Sequence, residues 1–156
     1  MNKIIDKINI FGAAVVTFFS AIFGEFWYLF AIFLLLNIID YITGTIKAKY
    51  LKVESSERGF KGIFKKVAYW LIIFLSFQIT FTFAEMGKIF GINLQFVELF
   101  GWFTLATFII NEFRSIFENL TEIGVDVPIF LKKGLEVAEK LLEKKKAESE
   151  EEENDE

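Results

Sequence analysis

The 156-residue chain contains no cysteine, no histidine and one proline. Without cysteine there are no disulfides and no thiolate metal sites. Without histidine there is no Ser-His or Cys-His catalysis and no imidazole pH switch. A single proline leaves long helices uninterrupted and argues against a turn-rich β fold. Phosphate-binding glycine patterns are also missing, since the glycines of the Arg58–Gly62 stretch RGFKG match neither a P-loop nor a dinucleotide fingerprint. Acid–base chemistry would have to gather Asp40, Glu85, Glu98, Glu112 and Glu118 from separate segments. The membrane topology expected for the chain puts Glu85 and Glu98 on the side away from the others. The expectation is therefore a protein that is not an enzyme, with no cofactor, no metal and no nucleic-acid partner.

What the chain has is apolar surface. It is 54% hydrophobic and includes 21 phenylalanines, against about 45–50% apolar in an ordinary soluble domain. These residues are bunched into runs, so an all-α integral membrane protein is the expected fold class. The net charge of −4 hides an asymmetry: seven acidic residues lie in 148–156, and setting them aside leaves a body of +3.

Four spans are expected, at about 8–24, 26–46, 67–84 and 99–120; three is the alternative if the first two form one interrupted span. Residues 8–24 would reach roughly 26 Å as a helix, short for a ~30 Å hydrocarbon core. Ala13, Thr17, Ser20, Ala21 and Gly24 form a small-residue stripe there, suited to a close helix contact or simply to lipid. The Lys3/Lys7 start imitates a secretory leader, but further apolar spans follow at once, so the first segment is read as retained. Glu25 separates it from the second span, which Trp27 and Tyr28 open as interfacial aromatics. The two segments make either an antiparallel hairpin or a re-entrant pair.

Residues 47–66 carry seven cations against Glu54 and Glu57, a net of +5, which the positive-inside rule places in the cytoplasm. Such a patch also attracts anionic lipid. Ser55 or Ser56 is suited to capping the helix that enters the third span, where Tyr69 and Trp70 mark the interface. Along that span Ser76 and Thr80 share a face with Ala84, and Gln78 lies on another. In the fourth span Thr104, Thr107, Asn111, Arg114, Ser115 and Glu118 form a row that grows more polar toward the cytoplasm. It lines either water or the contacts of a packed bundle.

Gly124 stops this helix, and Asp126 and Pro128 suit the start of the next. Leu131, Leu135, Ala138 and Leu142 then make the apolar stripe of an amphipathic helix over 128–146. It is expected on the membrane or against the cytoplasmic loop, with a coiled coil as the weaker reading. Residues 1–127 thus form the membrane domain, and 147–156 are expected to be a disordered acidic tail. Both termini then lie on the cytoplasmic side.

Asp40 stands out because ionisable groups inside an apolar run usually have a partner or a task. Gly44 and Lys47 follow it on the same helix face, so Lys47 or another cation of the basic loop is the expected partner. Taken together, Asp40, Thr43, Gly44, Lys47, Ser56, Gly62 and Lys66, followed by Glu112, Ser115, Glu118 and Asn119, resemble the toxin-secretion/phage-lysis holin family over roughly residues 36–131. The acidic tail is longer than that pattern. The resemblance implies a protein of the bacterial inner membrane that homo-oligomerises and opens lesions for a cell-wall endolysin or an exported toxin. These residues would then be architectural or assembly determinants. A small ion channel using Asp40 and Asn37, and a non-conducting scaffold, are the alternatives.

Overall fold

The structure is a computed structural model that describes residues 2–94 and 97–154. Its helices are α1 (Asn2–Phe23), α2 (Trp27–Tyr50), α3 (Ser56–Phe90), α4 (Glu98–Glu122) and α5 (Ile129–Asn154), with one 3-10 turn, Gly24–Phe26, joining α1 to α2. The ends follow local chemistry. Ser55 adopts an extended backbone and its side chain accepts a hydrogen bond from the Arg58 amide at 3.4 Å, capping the orphan donors of α3. At the other end of α3, Gly91 takes φ 69°, a left-handed conformation that glycine reaches without a Cβ clash, and the Ile92 amide returns to the Gly87 carbonyl at 2.9 Å. Gly124 ends α4 in the same way at φ 88°. Pro128, the residue before α5, accepts from the Leu131 amide at 3.0 Å.

Side-chain pairs fix the directions of the helices. Phe33 meets Phe108, Asp40 meets Asn119 and Lys47 meets Glu122, so α2 and α4 run parallel. Lys66 meets Glu112, Tyr69 meets Phe108 and Phe77 meets Trp102, so α3 runs opposite to both. The core at the end away from the 51–55 turn is aromatic: Phe23, Phe30, Phe33, Ile73, Phe77 and Leu105 are buried together. Phe23 stacks on Phe30 at 4.3 Å, and the Phe77 ring meets Trp102 edge-on at 4.9 Å. Such pairs contribute about 0.5–1.5 kcal/mol each beyond the area they bury. Gly101 lets Phe77 approach, because a Cβ there would lie 3.0 Å from the ring. In lipid this kind of close packing matters more than apolar burial, since the tails are as apolar as the helices.

Helices occupy all four places where spans are expected. Two helical stretches are long and apolar enough to cross a membrane, Ile4–Tyr50, which includes the 3-10 turn, and Ser56–Phe90. α4 is continuous, but its apolar run is broken by Asn111, Glu112, Arg114 and Glu118. α1 and α2 do not pack along their lengths as a hairpin would. Phe19 and Phe23 lie against Trp27 and Phe30 close to the turn, whereas residues 4–14 are exposed.

One expectation about the end of the chain is corrected. The helix expected to stop at residue 146 continues to Asn154, where disorder was expected; residues 155–156 lie outside the described residues. Lysine and glutamate are good helix formers, and Glu148 pairs with Lys144 and Lys145 one turn earlier at 3.7 and 3.4 Å. α5 packs against α4: Glu139 pairs with Arg114, and Lys132 Nζ donates to Thr121 Oγ1 at 3.1 Å.

Candidate functional site

A polar cluster crosses the three packed helices at the end nearer the 51–55 turn. α2 supplies Asn37, Asp40, Thr43 and Gly44, whose three- and four-residue spacing puts them on one face. α3 supplies Lys66 and Trp70, four residues apart, and α4 supplies Glu112 and Asn119, two turns apart. Lys66 Nζ lies 3.0 Å from Asp40 Oδ2 and also pairs with Glu112 Oε2. The three side chains are 16%, 14% and 5% exposed respectively, so solvent screens them weakly. Asn119 Nδ2 donates to Asp40 Oδ1 at 3.0 Å and to Thr43 Oγ1 at 3.2 Å, and Thr43 Oγ1 donates to the Asp40 carbonyl at 3.1 Å. One helical turn away, Trp70 Nε1 donates to Asn37 Oδ1 at 3.1 Å, while Asn37 Nδ2 donates to the Phe33 carbonyl at 2.7 Å. Among the described residues no buried side-chain nitrogen or oxygen lacks a partner.

This arrangement latches the helices together. One ammonium serves two carboxylates, so the trio carries a formal charge of −1, and the Asn119 amide supplies a further donor to Asp40. Charge-assisted hydrogen bonds of this kind are about twice as strong as neutral ones. Their directionality sets the register of α2, α3 and α4. The cost of removing one member of a buried pair, about 3–5 kcal/mol, comes from the charge left behind.

The cluster brings together Asp40, Thr43, Lys66, Glu112 and Asn119, with Gly44 alongside at 3.5 Å from Asn119 Nδ2 to its notional Cβ. Of the two partners expected for Asp40, Lys47 or another cation of the 47–66 loop, it is the second that forms. Lys47 instead reaches Glu122 at 3.4 Å, while Lys66 takes Asp40. Ser56 is the first residue of α3 and its neighbour Ser55 does the capping. Gly62 has open space around it, Ser115 is half-buried, and Glu118 lines a cleft of about 360 Å³ between α4 and α5 with Arg114, Thr121 and Lys132.

The polar faces behave differently along the bundle. Thr80 ties α3 to the start of α4, donating to the Val97 carbonyl at 3.1 Å and accepting from the Gly101 amide at 3.3 Å. Ser76, Thr104 and Thr107 bond to carbonyls of their own helices. Gln78 is half-buried and Asn111 exposed, and neither joins the cluster. Sequence reasoning missed Trp70 as a polar partner because its indole reads as an interface marker. Its position four residues after Lys66, on the same face, was the available signal.

The helices and the cluster define an all-helical protein with two stretches long and apolar enough to cross a membrane, held by a buried ionic latch. The chain belongs to the bacteriophage holin family, whose model matches residues 17–140. It is 36% identical over 121 residues to a probable holin of Bacillus phage phi105, covering 76% of this chain and 78% of that one. An uncharacterized protein of Listeria innocua, Lin0175, is 35% identical over 130 residues, 83% of this chain and 84% of that protein. A 14.9 kDa Clostridium perfringens protein in the nagH 3′ region is 33% identical over 136 residues, 86% and 95% of the two chains. No solved structure matches the chain.

Proposed function

We propose that the protein is a holin of the bacterial cytoplasmic membrane: it accumulates, homo-oligomerises and opens lesions through which a cell-wall endolysin, or a toxin lacking a leader, escapes. The observation that carries this reading is the family match over residues 17–140, together with the similarity to a probable phage holin. The fold is consistent with it. Asp40 of α2, Lys66 of α3 and Glu112 of α4 turn inward onto one another, while Leu35, Leu71 and Ile79 on the outer surfaces are exposed and available to lipid or to further copies. In this reading residues 1–127 span the bilayer four times, 128–146 are cytoplasmic and both termini face the cytoplasm. Asp40, Lys66, Glu112 and Asn119 hold the protomer in the form that assembles.

The test is induction in bacteria together with an endolysin that has no leader. The expected result is abrupt loss of turbidity after a delay, with endolysin activity appearing outside the cell. Growth arrest with the endolysin retained would overturn the proposal. Reconstituted vesicles separate a lesion from a narrow channel, because a lesion releases both ions and a trapped folded protein. Since the chain has no native cysteine, single cysteines at Ser55 and Ser149 give the topology directly. Both are expected to react only from the cytoplasmic side.

A further inference from the structure

α3 is longer than a membrane span requires. Its 35 residues make a helix of about 52 Å, against a hydrocarbon core of about 30 Å. The excess lies largely at its amino-terminal end, where every residue of 56–65 is exposed and touches little of the bundle. This extension has two opposed faces. Phe60, Ile63, Phe64 and Val67 recur at three- and four-residue steps on one side, with Phe60 71% and Phe64 68% exposed. Arg58, Lys61 and Lys65 recur at the same steps on the other. Lys49 and Lys52 stand just before it, at the end of α2 and in the 51–55 turn.

The cations of this region divide into two groups. Lys66 is committed to Asp40 and Glu112, Lys47 to Glu122, and Lys61 to the exposed Glu57 at 2.7 Å. Lys49, Lys52, Arg58 and Lys65 form no ion pair among the described residues, and Lys65 lies 5.6 Å above the Tyr69 ring. Four cations outside any ion pair, against the single exposed carboxylate Glu54 not paired with a cation there, stand next to three large apolar side chains and match a headgroup layer that is anionic above and apolar beneath.

We propose that residues 49–65 form an anionic-phospholipid binding surface, with Lys49, Lys52, Arg58 and Lys65 on headgroup phosphates and Phe60, Ile63 and Phe64 in the acyl boundary. The assignment rests on membrane insertion and is independent of lesion formation. It gives the protein a preference among lipids and not only an orientation.

The test uses the full chain, purified and exchanged into vesicles of equimolar phosphatidylglycerol and phosphatidylcholine, with the retained lipids counted by mass spectrometry. The wild-type protein is expected to retain phosphatidylglycerol in at least threefold excess, a conservative figure since each surface cation contributes roughly a fivefold factor. K49Q/K52Q/R58Q/K65Q is expected to bring the ratio close to one, and R58Q/K65Q to an intermediate value. A matched variant with the same charge change on α5, K133Q/K140Q/K144Q/K146Q, is expected to keep the wild-type ratio. Equal retention of the two lipids by the wild type, an equal loss in the α5 variant, or displacement of phosphatidylglycerol by inorganic phosphate alone would each overturn the proposal. Carbonate extraction reads insertion separately and is expected to leave all these variants in the membrane.

Discussion

The two ends of the packed bundle are held by different physics. At one end Phe23, Phe30, Phe77 and Trp102 fit by shape, with Gly101 making room for the Phe77 ring. At the other, Lys66 bridges Asp40 and Glu112 while Asn119 donates to Asp40 and Thr43. Aromatic contacts can be exchanged for lipid tails or for another copy at modest cost, because each alternative is also apolar. A buried ammonium cannot be exchanged in that way unless another charged partner or water replaces the one it loses. The aromatic end can therefore repack against other apolar surface more readily than the ionic end can.

The strongest way to break this contrast is Lys66→Ala, which leaves two carboxylates facing each other without a cation. Unfolding in mild detergent is expected to show a loss of about 3–5 kcal/mol, as for removal of one partner from a buried ion pair. Replacing Asp40, Lys66 and Glu112 together by leucine or methionine is expected to recover most of that loss, since no buried charge then remains. Asn119→Ala removes two donor contacts, one of them to a carboxylate, and is expected to cost about 1.5–3 kcal/mol in the same measurement. At the aromatic end Gly101→Val is expected to cost about 1–3 kcal/mol through displacement of Phe77, with a visible change in near-ultraviolet circular dichroism. Lys47→Gln should be the mildest, at under about 1 kcal/mol, because its Glu122 partner is half exposed and the pair is open to solvent screening. If Gly101→Val proved more damaging than Lys66→Ala, the contrast between the two ends would be reversed.

Much of the fold was legible without coordinates. Periodicity located the helices, and Gly124 and the Ser55–Ser56 pair marked ends that the backbone confirms with a left-handed φ at Gly124 and a Ser55 cap. The family was also legible, because Asp40, Thr43, Gly44, the basic loop and the Glu112-to-Asn119 segment occur in a specific order. Part of the candidate site was legible as single residues but not as contacts. Asn37 and Trp70 each carried a plausible separate role, and their mutual hydrogen bond depends on two helices meeting at one level. The acidic tail was read as disordered from its charge, whereas through Asn154 the helical tendency of its glutamates and the pairing of Glu148 with preceding lysines prevail.

By itself the sequence determined that this is a helical membrane protein with a basic turn, and that Asp40 needs a cation; both follow from local composition and from the cost of an unpaired charge among apolar residues. Which cation it takes was decided only by tertiary structure. Lys47 lies two turns further along the same helix, roughly 10 Å away by helical rise. Lys66 enters at the level of Asp40 because α3 runs antiparallel to α2, and Glu112 and Asn119 arrive at that level because α4 runs parallel. Helix direction and register, which no single segment encodes, turned a lone carboxylate into one corner of a buried latch.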